Sequence, residues 1–212
     1  MAMDILSKHL SAAVFFDSSG LDNKTLKQML QNESGINGRR LSRLSLIATL
    51  GALRLRQHTA VRTDCAVYVA TPFASPALFQ KMADNVLNHH AAMPFDFMAN
   101  LHNAPAFHAA QALGSNGATV VCAADHNTHS WQKALRLVKH ALLAKPQIAL
   151  GFCREREQEN DSDGCVWLLL ERNSNKIDAR LNHFDKVNRP SENLHYWQSL
   201  IHYLADLNHD VD

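Results

Sequence analysis

Apolar positions recur with two different periods along the chain, and each change of period predicts a change of element. Short apolar runs predict buried strands, whereas apolar residues spaced by three or four positions predict amphipathic helices. Five strands are predicted, at residues 10–16, 64–71, 119–123, 147–153 and 165–172. Six helices are predicted, at residues 23–30, 39–55, 76–88, 103–113, 131–144 and 191–207.

The order of these elements predicts the fold class. Strands and helices alternate through most of the chain, which is typical of an α/β domain with a largely parallel sheet. We therefore expect a single domain over residues 1–212, with a mostly parallel, mixed five-stranded sheet and flanking helices. Residues 176–184 are expected to pair with the last strand, residues 93–99 to be irregular, and residues 155–164 to form a solvated charged loop.

Composition excludes several classes of function. The chain is 46% hydrophobic, enough for one sizeable core, and its net charge of +1 gives no sign of a nucleic-acid or anionic-membrane partner. Apolar runs such as residues 166–170 are far too short to cross a bilayer. Asp17 directly follows the first apolar patch, so a signal peptide is not expected. The four cysteines form no CxxC pair, which favours reduced thiols in a cytoplasmic protein.

The segment at residues 114–143 is the candidate place for chemistry. Its pattern predicts a Gly turn, a strand buried on both faces at Thr119–Ala123, and an amphipathic helix. Open α/β sheets place their chemistry at the carboxyl end of a strand, beside a helix N-terminus. The loop between this strand and this helix is therefore where a functional residue is expected.

Two kinds of chemistry are conceivable in that loop. Cys122 could be a nucleophile with His126 or His129 as its base, although an unreactive buried cysteine is the favoured interpretation. Asp125 could bind a metal together with the two histidines, but Asp at a helix start is more simply a cap. We therefore expect neither a metal nor a cofactor.

Four motifs follow one another between residues 39 and 172. RRLSRL opens a helix, LHNAPAFHAAQALGSNGATVV combines a helix, a Gly-x-x-Gly turn and a strand, residues 131–144 form the next helix, and IALGFCRE with GCVWLLLER forms a strand pair. In this order they resemble the N-terminal half of β-ketoacyl synthases, members of the thiolase superfamily. The resemblance implies a thiolase-like half fold, with the catalytic cysteine expected after the strand Thr119–Ala123.

Two departures from the family pattern bear on activity. No cysteine stands in the loop, and counting from the flanking motifs places the lost nucleophile at Ala124, Asp125 or His126. The second half of a synthase, which carries the other catalytic residues, is also expected to be missing because the chain ends at Asp212. A decarboxylating condensation needs a thiolate and imidazoles, so the resemblance implies a protein that is not itself an enzyme.

A synthase-like chain without its nucleophile resembles a chain length factor, and a half-length version resembles that of aryl polyene clusters. The resemblance implies a non-catalytic subunit that pairs with an active ketosynthase, as a heterodimer or heterotetramer, in polyketide or fatty-acid-like biosynthesis. The acyl carrier protein would be met through that complex. The implied partner interface is the strand made by Thr119, Val120, Val121, Cys122 and Ala123. The implied acyl-tunnel or gating residues are Phe95, Phe97, Met98 and Asn103, with ordinary core packing of the two phenylalanines as the alternative.

Two alternatives from other classes of protein stay open. One is a small Cys/His acyl-transfer enzyme that uses Cys122. The other is a carrier-docking module, for which Arg39, Arg40 and Arg43 are the nearest approach to a basic patch.

Overall fold

The computed structural model describes residues 9–72, 75–91, 93–124, 128–156, 163–172 and 195–209. The strands in these residues are β1 (Leu10–Asp17), β2 (Ala66–Thr71), β3 (Thr119–Ala123), β4 (Gln147–Arg154) and β5 (Gly164–Glu171). The helices are α1 (Asn23–Ser34), α2 (Arg43–His58), α3 (Pro76–His89), α4 (Pro94–Ala99), α5 (Ala104–Leu113), α6 (Thr128–Leu142) and α7 (His195–His209), with a 3-10 turn at Gly38–Arg40.

The five strands form one mixed sheet in the order β1-β5-β4-β2-β3. β4, β2 and β3 are parallel neighbours, whereas β5 is antiparallel to both β1 and β4. Four strands therefore run in one direction and β5 runs against them, which confirms the predicted mostly parallel, mixed sheet. Because β1 and β4 occupy both edges of β5, this strand has no edge left for the predicted hairpin, and residues 176–184 lie outside the described residues.

Helices cover both faces of the sheet. On one face, α1, α2 and α5 enclose a core cluster that includes Leu30, Ile47, Leu113, Val69 and Trp167. On the other face, α6 and α7 enclose a second cluster that includes Leu135, Val138, Trp197, Tyr68 and Leu150. β2 is buried along its whole length because it lies between two strands and two helical layers. None of the helices in the described part of the chain combines the length and apolar character that a bilayer crossing requires.

The helix predicted at residues 39–55 is two elements in the structure. Asn37 caps the 3-10 turn by accepting from Arg39 N–H at 2.9 Å, and Ser42 caps α2 by accepting from Ser45 N–H at 3.2 Å. A serine with extended backbone satisfies one of the first free N–H groups of a helix, so α2 begins at Arg43 rather than at residue 39.

Residues 94–99 of the segment predicted to be irregular are helical, and Met93 is their N-cap. They form α4, with Pro94 in the first helical position, where its fixed φ angle and missing N–H are well tolerated. A helix of six residues is too short to show a hydrophobic period, which explains why the pattern did not predict it.

The absence of a side chain at Gly151 lets the Trp167 ring pack closely against the sheet. A Cβ atom on this β4 residue would lie 2.5 Å from Trp167 Cε2 on the neighbouring strand β5. Trp167 is fully buried, so the ring has no room to move away. Glycine at this position is therefore required by packing.

Candidate functional site

Ala124, the residue after β3, lies at the end of the sheet where the carboxyl ends of β2, β3 and β4 meet. Ala124 is buried in the second core cluster, and its N–H donates to Thr71 C=O at 3.0 Å. A buried methyl group offers no reactive atom at this position. The other two predicted positions of the lost nucleophile, Asp125 and His126, lie outside the described residues.

Cys122 lies half-buried on β3, whereas the other three cysteines are buried. Burial raises the pKa of the Cys122 thiol, so the neutral thiol is favoured at neutral pH. A nucleophilic cysteine needs the opposite shift, which argues against the acyl-transfer alternative. Among the described residues, no group of three or more His, Cys, Asp or Glu side chains could hold a metal ion.

β3 is an edge strand with one free backbone side. β2 pairs with one side of it, and no other described strand pairs with the opposite side. At its two ends, the Ala118 C=O and the Ala124 N–H both bond to the β2 backbone, at 2.8 and 3.0 Å. Because the backbone groups of successive residues alternate sides, the N–H and C=O groups that point away from β2 belong to Thr119, Val121 and Ala123.

Four of the five β3 side chains are half-buried and Ala123 is exposed, so the prediction of a strand buried on both faces is wrong. Val121 packs against the first core cluster, and Val120 and Cys122 pack against the second. An edge strand has a neighbour on one side only, so the helices above and below it cover only part of each side chain. An apolar strand with a free backbone edge is a surface on which another strand can pair.

A second uncovered surface lies on α3, α4 and the start of α5. Helices α3 and α4 have no buried side chain among the described residues, although both are rich in large apolar residues. The exposed members of this α3–α5 apolar surface are Phe79, Val86, Leu87, Met93, Phe95, Phe97, Met98, Leu101 and Phe107. Large apolar side chains exposed together on neighbouring elements are typical of an interaction site.

The predicted tunnel residues do not form a single group. Phe97 and Met98 lie together in a pocket of about 380 Å³ between α3 and α4. Phe95 lies on another side of α4, where its ring centroid is 4.0 Å from the guanidinium carbon of Arg40. Asn103 is exposed at the N-cap of α5, where its C=O accepts from Phe107 N–H at 3.0 Å.

The pocket also includes residues of the predicted apolar face of α3. Its other walls are Met82, Asn85, Val86, Met93 and Pro94. The spacing of Met82 and Val86 predicted an apolar face on α3, and that face exists. It does not face the core, however, because Val86 is 53% exposed.

A buried ion pair lies at the same edge of the sheet. Arg43 Nε donates to Asp163 Oδ2 at 2.6 Å, and the two side chains are 7% and 0% exposed. Ser18 Oγ donates to the other carboxylate oxygen at 2.6 Å. Since Arg43 is committed to this pair, the exposed arginines of the candidate basic patch are Arg39 and Arg40.

Glu155 is a second buried acid, beside this pair. Its Oε2 accepts from Leu44 N–H at 3.0 Å and from Ser75 Oγ–H at 2.7 Å, which ties the start of α2 to the residue before α3. Burial raises the pKa of Glu155, against the lowering effect of these two hydrogen bonds. The prediction of a solvated loop at residues 155–164 is therefore wrong at both ends, while residues 157–162 lie outside the described residues.

Comparison with known proteins gives a likeness in fold. No family model matches the chain, and no curated protein matches it. The solved ishigamide ketosynthase/chain length factor aligns with a TM-score of 0.63 and 12% identity, over 78% of this chain and 62% of that chain. A structure of the ketosynthase ApeO in complex with its chain length factor ApeC, from Xenorhabdus doucetiae, aligns with a TM-score of 0.56 and 16% identity, over 79% of this chain and 80% of that chain.

This chain thus spans less than two thirds of the length of the ishigamide chain that it matches. It is close in length to the chain matched in the Xenorhabdus complex, because the covered shares of the two are nearly equal. At these identities the likeness concerns the fold alone. The chain has the α/β fold of ketosynthase and chain length factor structures, as the sequence predicts.

Proposed function

We propose that this chain is a non-catalytic, chain-length-factor-like subunit that pairs with an active ketosynthase and shapes the acyl tunnel of the complex. The observation that carries the proposal is the uncovered apolar surface, made by the free edge of β3 and the α3–α5 apolar surface. The fold supports it, because the neighbours in fold include a ketosynthase solved in complex with its chain length factor. The complex would make a polyketide, such as an aryl polyene, or a fatty-acid-like chain.

The absence of catalysis rests on the loop after β3. Ala124 is buried and inert, and the raised pKa of Cys122 disfavours its thiolate. In this proposal, Asp125 and His126 are the other two residues that can stand where a ketosynthase has its nucleophilic cysteine. The complex would then draw its condensation chemistry from the ketosynthase alone, with substrates delivered by an acyl carrier protein in the cytoplasm.

The partner interface is the strand Thr119–Ala123. Its outward N–H and C=O groups would pair with a strand of the ketosynthase, in the manner of strand addition to a sheet edge. Such pairing would also bury the exposed halves of Val120 and Val121. Strand addition therefore satisfies the backbone and covers apolar surface in one step.

The tunnel wall comes from α4 and the start of α5. Phe97 and Met98, which line the pocket, would set the length of the growing chain by excluding volume. Phe95 and Asn103 lie outside this pocket and would meet the acyl chain at other points. Replacing Phe97 by Ala should lengthen the product of the reconstituted complex. An unchanged product would remove Phe97 from the wall.

Co-expression with an active ketosynthase from the same source tests the pairing. Val121→Pro removes an N–H that points away from β2, so it leaves the β2–β3 ladder intact while blocking strand addition. Val121→Ala removes comparable side-chain volume but keeps that N–H, which makes it the matched control. We expect the wild type and Val121→Ala to co-elute with the ketosynthase in size-exclusion chromatography and Val121→Pro to elute separately.

Two results would contradict the proposal. If the wild-type chain elutes apart from the ketosynthase, and the ketosynthase alone makes full-length product, the chain is not its subunit. If Val121→Pro binds as tightly as Val121→Ala, the interface lies elsewhere than on the β3 edge. Circular dichroism of both variants establishes that each is folded before the binding result is interpreted.

A further inference from the structure

Helix α4 has little to hold it in place. It is six residues long, its N-cap Met93 makes no side-chain capping bond, and no side chain of the helix is buried. Where α4 would otherwise pack against α3, a pocket of about 380 Å³ lies between the two helices. Apolar burial therefore does not fix the position of this helix.

Two polar contacts attach α4 to its surroundings. Lys81 Nζ on α3 lies 2.8 Å from Asp96 Oδ2, and the Asp96 side chain is 18% exposed. In the same surface region, the Arg40 guanidinium lies over the Phe95 ring at 4.0 Å. One contact joins α4 to α3, and the other joins it to the 3-10 turn.

The 3-10 turn that carries Arg40 and the start of helix α3, which carries Lys81, are both held by other contacts. The 3-10 turn is capped by Asn37, and Gly38 packs so closely that a Cβ there would lie 3.0 Å from Leu46 Cδ2 on α2. Helix α3 starts from Ser75, which is buried and donates to Glu155. Arg40 therefore projects from an anchored turn, and Lys81 from a helix that is held at its start, towards a helix that has neither kind of attachment.

The geometry points to Arg40 and Lys81 as positioning residues that set how far α4 stands from α3. Phe97 and Met98 are carried on α4, while Met82 and Val86 are carried on α3, so the separation of the two helices is the width of the pocket. This step rests on the proposed function: in the complex, the width of the pocket determines the length of acyl chain that is accepted. Releasing either contact should widen the pocket and favour longer products.

Hydrogen exchange of the full-length chain tests the positioning role without any partner. Lys81→Asp places like charges beside each other, and the double variant Lys81→Asp/Asp96→Lys restores an opposite-charge pair. Exchange of the backbone amides at residues 96–100 should rise up to about fivefold in the single variant and return to the wild-type rate in the double variant.

The neighbouring arginines supply a matched control for the second contact. Arg39→Gln removes an exposed charge one position away from Arg40, and no ring contact is recorded for Arg39 among the described residues. Arg40→Gln should accelerate the same amides, whereas Arg39→Gln should not. Unchanged exchange in both Lys81→Asp and Arg40→Gln, or failure of the charge swap to restore it, overturns the positioning role.

Product analysis of the reconstituted complex tests the consequence for chain length. Lys81→Asp and Arg40→Gln should shift the product distribution to longer chains with the affinity for the ketosynthase changed less than tenfold, and the charge swap should restore the wild-type distribution. If the variants form the complex and the products stay the same, Lys81 and Arg40 do not control product length, and the proposed function is unaffected. If the wild-type complex does not form, the proposed function fails, and the exchange data still decide whether these residues position α4.

Discussion

Replacing Asp163 by Asn changes almost nothing in shape but removes the charge that faces Arg43. The Arg43 side chain is 7% exposed and would be left as a buried cation without its counter-charge. Removing one partner of a buried ion pair costs about 3–5 kcal/mol of folding free energy. For a chain of this size each kcal/mol lowers the melting temperature by about 2–4 °C, so the expected fall is roughly 6–20 °C.

A second Arg–Asp pair in the same chain is a matched control. Arg62 Nε lies 2.8 Å from Asp64 Oδ1, but these side chains are 58% and 56% exposed. Water solvates both charges at that site, so Asp64→Asn should leave the melting temperature unchanged within error. Both variants are measured by thermal unfolding followed by circular dichroism.

Two outcomes would refute the reasoning about the buried pair. If Asp163→Asn melts as close to the wild type as Asp64→Asn does, the charge of Asp163 is not required by Arg43. A double variant that replaces both residues with apolar ones, Arg43→Met/Asp163→Leu, should be less destabilised than Asp163→Asn, because neither member of the pair is left without its counter-charge. If the double variant is the less stable of the two, the cost comes from lost shape and not from charge.

Three further predictions concern other buried groups. Gly151→Ala should destabilise the fold by about 1–3 kcal/mol or more in urea unfolding, because its Cβ would lie 2.5 Å from the Trp167 ring, and a wild-type unfolding midpoint would contradict the packing argument. The raised pKa of Glu155 means that the native state holds this proton more tightly than the unfolded chain, so wild-type stability is lost as pH rises above the ordinary value of 4.5. Glu155→Gln has no carboxyl group to ionise, so its melting temperature should rise relative to that of the wild type between pH 4 and pH 7. A difference between the two melting temperatures that does not change with pH would contradict this prediction. The raised pKa of Cys122 predicts slow alkylation by iodoacetamide at pH 7 with a steep rise towards high pH, and rapid reaction at pH 7 would revive the nucleophile hypothesis.

Local patterns predicted most of the elements correctly, because strands and helices leave a periodic record in neighbouring residues. The start of α2 was misplaced since RRLSRL contains apolar residues at helical spacing, while the Ser42 cap decides where the helix begins. Helix α4 was missed because six residues do not complete two turns of a periodic pattern. In both cases capping and turn chemistry outweighed hydrophobic spacing.

Contacts between distant residues could not be predicted in the same way. Arg43 and Asp163 are 120 positions apart, so no local spacing indicates that they form a pair. Charged residues in a polar run are normally solvated, which is why Glu155 and Asp163 were expected on the surface. Their burial follows from the sheet topology, which brings the start of α2 next to the carboxyl end of β4 and the start of β5.

The exposure of α3 and β3 could not be predicted from local patterns. The apolar spacing on α3 predicts an apolar face, and the described residues of this 14-residue helix include no buried side chain. Helices of about that length are marginal in water and depend on packing of their apolar face for stability. In the proposed complex, the ketosynthase would supply the cover for this apolar face. The same argument holds for β3, whose apolar side chains are half-buried and whose backbone edge is free. The proposed pairing with a ketosynthase would bury both surfaces, which is the physical reason for preferring it to a free-standing enzyme.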